Sequence, residues 1–164
     1  MQGKAKLLGH PVHQMLIVFP LGLLATAVVF DIVRLASGNP YWAEISYWMI
    51  SSGLIGGAAA AIFGYIDFRS VPKHTRARRI GAVHGIGNVV VMVLFFLSWL
   101  MRNDNIASNA PIGLAIAGGG LALVTGWLGG ELVDRLAVGV EEGAHADAPS
   151  SLSDRPAHER ARWS

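Results

Sequence analysis

Four apolar runs, each longer than the roughly 20 residues a helix needs to cross a bilayer, constrain this chain more than any other feature. They lie at about residues 11–36, 42–68, 79–101 and 111–135. Of the 164 residues, 52% are hydrophobic and only 15% are charged, and the charges gather between the runs. A water-soluble domain of this length needs far more polar surface, so the pattern points to a polytopic membrane protein. The expected fold class is all-α, a four-transmembrane-helix bundle.

Composition then removes whole classes of chemistry. There is no cysteine, which excludes disulfides, thiolate nucleophiles and cysteine-based zinc sites. The first run is too long for the apolar region of a signal peptide, and no small-residue cleavage site follows it, so it reads as a retained span. The pI near 9.3 does not imply nucleic acid. The basic residues sit beside apolar runs, where they set topology and meet lipid headgroups, so the expected partner is the bilayer.

Charge also orients the spans. Lys4, Lys6, Arg69, Lys73, Arg76, Arg78, Arg79, Arg135, Arg155, Arg160 and Arg162 fall on one side, and only Arg34 and Arg102 on the other. That bias places both termini in the cytoplasm. Residues 1–10 then form a cytoplasmic N-terminus and 11–137 the membrane domain. Residues 138–164 are polar and mixed in charge, and are expected to be a disordered cytoplasmic tail in which His145 and His158 are solvated.

Local signals sharpen the spans. Pro11 suits the first helical position, which puts His10 near the N-cap and His13 in the first turn as an interfacial cap. Pro20 cannot donate to the Leu16 carbonyl and should kink the first span. Ser37-Gly38-Asn39-Pro40 is a turn signal. Tyr41, Trp42, Tyr47 and Trp48 form an interfacial aromatic belt. Small residues recur every four positions at Gly53/Gly57, Gly56/Ala60/Gly64, Gly81/Gly85 and Ala122/Gly126/Gly130, as expected where helices approach closely. The spans also echo one another. His13 and His84 both lie near the start of an odd-numbered span, and Gly64 to Asp67 resembles Gly126 to Glu131. A duplicated helical hairpin would produce this.

Ionisable groups inside spans are costly and face a partner or a cavity. Asp31 lies about 27 Å along the helix from His13 and so belongs to the outer side, with Arg34 as the expected partner. Glu44 is also outer and interfacial. The inner side collects His10, His13, Asp67, His84, Asn88, Glu131 and Asp134. His84 is the hardest to dismiss, because only it and Asn88 interrupt the apolar run after Ile80. It reads as a buried histidine bonded across helices, to Asp67 or Glu131, as a metal or haem ligand, or as a proton-handling group. Ser51, Ser52 and Ser98 lack a nucleophile elbow, and Gly118-Gly119-Gly120 lacks the Lys and Ser/Thr of a phosphate loop.

The motif GHPVHQMLIVFPLG followed by Asp31, Gly64-x-x-Asp67, His84-x-x-x-Asn88 and the closing GWLGGELVDRLAVGV together resemble the DUF2231 family of predicted bacterial membrane proteins. The likeness covers roughly residues 8–140. Where that family often has Tyr after the closing Leu-Val, this chain has Asp134. The resemblance implies a four-helix membrane domain without a settled activity, and relatives beside cytochrome-type domains imply a redox setting.

Three functions follow as expectations. The first is an accessory or binding component of the inner membrane with no catalytic centre of its own, working with a redox partner or as a homo-oligomer. The second is a b-type haem protein with His13 and His84 as axial ligands. The third is a divalent-metal or proton-handling protein that uses His10, His13, His84, Asp67 and Glu131.

Overall fold

A computed structural model describes residues 3–106 and 108–160; Arg162, one of the charges in the topology count, lies outside them. Four helical stretches are long and apolar enough to span a membrane, at Val12–Ser37, Tyr41–Ser70, Arg76–Asp104 and Ala110–Arg135. These match the four runs to within three residues at each end. At most about a fifth of each span is buried within the bundle. Ile55, Val89, Leu123 and Val124 all face outward, as a lipid-facing surface requires.

The chain begins with a small hairpin, β1 (Lys6–Leu7) paired antiparallel with β2 (His10–Pro11). Leu8 and Gly9 turn it with φ of 51° and 85°, the double positive φ of a two-residue hairpin turn. Pro11 is therefore the extended residue before the first helix rather than its first turn, and His10 is in a strand rather than at the N-cap.

The first span is α1 (Val12–Leu16) and α2 (Val18–Ser37), interrupted at Ile17. The cause is Pro20, which leaves the Leu16 carbonyl without its helical donor. Gly38, at φ 70°, ends α2 in the left-handed conformation, with its N–H on Arg34 O. The remaining spans are α3 (Tyr41–Ser70), α4 (Arg76–Asp104) and α5 (Ala110–Gly130). Thr75 caps α4 by accepting from Arg78 N. Pro111 lies in the first turn of α5, where its fixed φ and missing N–H are tolerated. A π-helical turn, Glu131–Arg135, closes the span. Residues 136–160 form turns without helix or strand.

Helix α2 packs along α3 and α4 along α5, and the two hairpins meet through α3 with α4 and α2 with α5. Leu24, Ala27, Ile50, Val91, Phe95 and Ala115 form the core. One end of the bundle holds the N-terminal hairpin, the basic α3–α4 link and the tail, and is called the basic end below. The other holds the α2–α3 and α4–α5 links.

The two hairpins are copies of one design. Gly53 lies where an added Cβ would stand 2.7 Å from Leu24, and Gly118 where one would stand 2.9 Å from Phe95. Gly64 lies in the same way against His13 at 2.8 Å, and Gly129 against His84 at 3.2 Å. Ser46 Oγ donates to Ala27 O, and at the matching place Ser98 Oγ donates to Pro111 O. Each first-helix residue matches the one 71 positions later, the separation that also divides Asp31 from Arg102. The second helices match at their own constant shift, Ser46 with Pro111 and Gly64 with Gly129. Of the echo read in the sequence, His13 with His84 falls in this register, whereas Gly64 matches Gly129 rather than Gly126 and Asp67 matches Leu132 rather than Glu131.

Close approach uses only some of the small-residue stripes. Gly53, Gly57 and Gly64 pack against neighbouring side chains, whereas Gly85, Gly126 and Gly130 face open space. The Gly81/Gly85 and Ala122/Gly126/Gly130 stripes are therefore not continuous helix contacts.

Candidate functional site

Two polar clusters sit inside the bundle, one toward each end. Toward the basic end are the histidines. His13 Nδ1 is 2.8 Å from Ala60 O, and His84 Nδ1 is 2.8 Å from Thr125 O. A carbonyl oxygen can only accept, so Nδ1 carries the proton in both rings and each Nε2 holds the lone pair. His13 bonds across to α3 rather than capping its own helix.

Their surroundings differ. Around His84 a closed loop forms. His84 Nδ1–H donates to Thr125 O, Thr125 Oγ1–H donates to Asn88 Oδ1 at 3.0 Å, and Asn88 Nδ2–H donates to His84 Nε2 at 3.1 Å. Asp67 and Glu131, the expected partners, are engaged elsewhere. Around His13 the residue matching Asn88 is Ile17 and the residue matching Thr125 is Ala60, so neither can close such a loop.

Toward the other end Asp31 and Arg102 form a buried two-armed ion pair. Arg102 Nη1 meets Asp31 Oδ1 at 2.8 Å and Nη2 meets Oδ2 at 2.6 Å, with the side chains 1% and 0% exposed. Ser98 Oγ and Ser46 Oγ complete the guanidinium's partners. No buried side-chain polar atom among the described residues lacks a partner. Asp31 therefore pairs with Arg102 rather than with the nearer Arg34, whose Nη1 instead holds Ser108 O and Asn109 Oδ1 across the α4–α5 link. A fork-shaped cation fully enclosed with its carboxylate meets the demand that a charge in lipid be paired.

The other candidates disperse. Asp67 Oδ1 accepts from the backbone N–H of Lys4 and of Ala5, which ties the chain start to the end of α3. Glu131 is bridged by Arg76. His10 Nε2 is 3.2 Å from Ser151 Oγ, which donates to Leu8 O. Hence His10, His13, His84, Asp67 and Glu131 have five separate sets of partners, and among the described residues no three His, Asp or Glu side chains converge on a point a metal could occupy. In the sequence Arg102 reads only as an outer-side charge and Ser98 only as a serine without a nucleophile elbow, while Thr125 and Ser46 carry no signal at all. The equal spacing of His13 to Asp31 and His84 to Arg102 was the available signal for the role of Arg102.

Four spans, an enclosed ion pair and two repeat-matched histidines define a four-helix integral membrane protein. The family of predicted membrane proteins known as DUF2231 matches residues 9–142, and the chain belongs to it. No curated protein and no solved structure matches the chain.

Proposed function

We propose that this protein is a membrane-embedded binding component without a reaction of its own, and that its site is the His13–His84 pair, taking a b-type haem. The observation that carries this is the identical setting of Nδ1 in both rings. Each Nδ1–H is held at 2.8 Å by a main-chain carbonyl of the neighbouring helix. A histidine fixed in that way presents Nε2 as a basic, oriented ligand. Imidazole is a common haem-iron ligand, and helix bundles house such groups between facing helices. Ligation at His84 requires Asn88 to release Nε2. A second reading, a cofactor-free accessory component, is favoured by the closed His84–Asn88–Thr125 loop, in which the histidine serves as an interhelical tie.

The basic end faces the cytoplasm of a bacterial inner membrane on this proposal, because Lys and Arg concentrate there. A haem at that depth serves a redox partner on that face rather than carrying an electron across the bilayer alone. The test is a visible spectrum of detergent-purified protein, oxidised and dithionite-reduced, after expression with haem supplied. The haem reading predicts a Soret band with sharp reduced α and β bands, lost in His13→Ala and in His84→Ala. A flat spectrum at full expression leaves the accessory reading in place.

A further inference from the structure

The Asp31–Arg102 pair has an unusual position. The two residues are equivalent to each other, since each lies 18 residues, about five turns, beyond the histidine of its own hairpin. Equivalent positions of two copies touch each other where both lie beside a rotation axis, and the reciprocal packing of α3 on α4 and of α5 on α2 makes that axis two-fold. The axis of this duplicated bundle therefore runs past the pair, along the membrane normal, as in other parallel repeats. The hairpin interiors match closely, with Leu24 on Gly53 as Phe95 is on Gly118. Shape alone thus does little to stop a hairpin from closing on a second copy of itself.

We propose that the Asp31–Arg102 pair is the selectivity element of hairpin association, so that the α2–α3 hairpin accepts only an α4–α5 hairpin as partner. Two α2–α3 hairpins closed in this way would bury two aspartates against each other, and two α4–α5 hairpins would bury two arginines. Neither charge pair can be hydrated there, since both side chains are within about 1% of full enclosure. The opposite charges also fix the depth at which the hairpins meet, because the two guanidinium arms engage both carboxylate oxygens only in one register.

The test uses the full chain in detergent and reads folded fraction and assembly state. Asp31→Arg and Arg102→Asp each place like charges on the axis and should lower the folded-to-unfolded ratio by roughly a hundredfold or more. The exchanged double variant, D31R with R102D, should recover most of that loss, because equivalent positions present the same geometry in reverse. Ser98 matches Ala27, so adding Ala27→Ser and Ser98→Ala moves the supporting hydroxyl with the guanidinium and should recover more. The apolar pair D31L with R102M should fold yet show larger assemblies than the parent on size-exclusion chromatography with light scattering, as hairpins of different chains associate. An exchanged variant no better than either single change would overturn the equivalence. An apolar variant with the parent's assembly state would overturn the selectivity role.

Discussion

His13 and His84 stand at the same place in two copies of one hairpin, and their backbone contacts are alike to 0.1 Å while their side-chain contacts are not. Each ring gives its Nδ1–H to a carbonyl on the adjacent helix. That contact depends only on helix spacing, which a glycine beneath each ring maintains at Gly64 and Gly129. The Nε2 contact depends on a particular neighbour, and there the copies differ at two positions: Ile17 against Asn88, and Ala60 against Thr125. A duplicated fold keeps what the backbone enforces and is free to change what single side chains supply. The first hairpin keeps an imidazole whose Nε2 has no hydrogen bond among the described residues, while the second ties its own into a loop.

The comparison can be broken most severely at the axis. Arg102→Ala leaves Asp31 buried without a partner and should cost about 3–5 kcal/mol, visible as a large fall in the detergent melting temperature. Asp31→Ala should match it, since the guanidinium is then the orphan. If either variant melts like the parent, the pair is not the fixed point about which the hairpins are arranged.

Changes under the rings should have intermediate effects, and unequal ones. An added Cβ meets His13 at 2.8 Å in Gly64→Ala and His84 at 3.2 Å in Gly129→Ala. The first should cost about 1–3 kcal/mol and the second less, because a contact of that length needs only a small shift. Equal losses in thermal unfolding would show that the two ring environments are more alike than their distances indicate.

Exchanging the differing neighbours sharpens the contrast. Asn88→Ile makes the second hairpin resemble the first and removes two hydrogen bonds, one to His84 Nε2 and one from Thr125 Oγ1, so it should cost about 1–3 kcal/mol. On the haem reading it should also strengthen haem binding in a spectroscopic titration, since Nε2 no longer has to be released. Weaker binding would mean that Asn88 orients the ring rather than occupying it. The smallest effect is expected at Arg76→Ala. Its bridge to Glu131 joins an arginine 59% exposed, so denaturation should move by less than about 1 kcal/mol.

Much of the architecture can be read from the sequence because bilayer thickness alone imposes run length, and four long, predominantly apolar runs leave few alternatives. Pro20 and Gly38 mark a break and an end for reasons confined to their own backbone. Arg102 illustrates what could not be read in this way. At the last turn of its span it looks like an interfacial charge, and Arg34, three residues from Asp31, looks like the nearer partner. Only the tertiary fold brings the Arg102 side chain across to Asp31 at that depth and directs Arg34 to the α4–α5 link. The partners of His84 were missed for a similar reason. Charged Asp67 and Glu131 attract attention in a sequence, whereas a main-chain carbonyl carries no sequence signal. The glycine stripes misled where spacing was taken for contact, since spacing fixes a helix face but not what that face meets.

The most direct measurement of the central claim is the oxidised and reduced visible spectrum of the purified protein after expression with haem supplied, recorded beside His13→Ala and His84→Ala. The account predicts a Soret band and sharp reduced α and β bands in the parent, with both variants losing them. A fully expressed, folded parent with no visible absorption would contradict it, and would assign both histidines to holding the helices together.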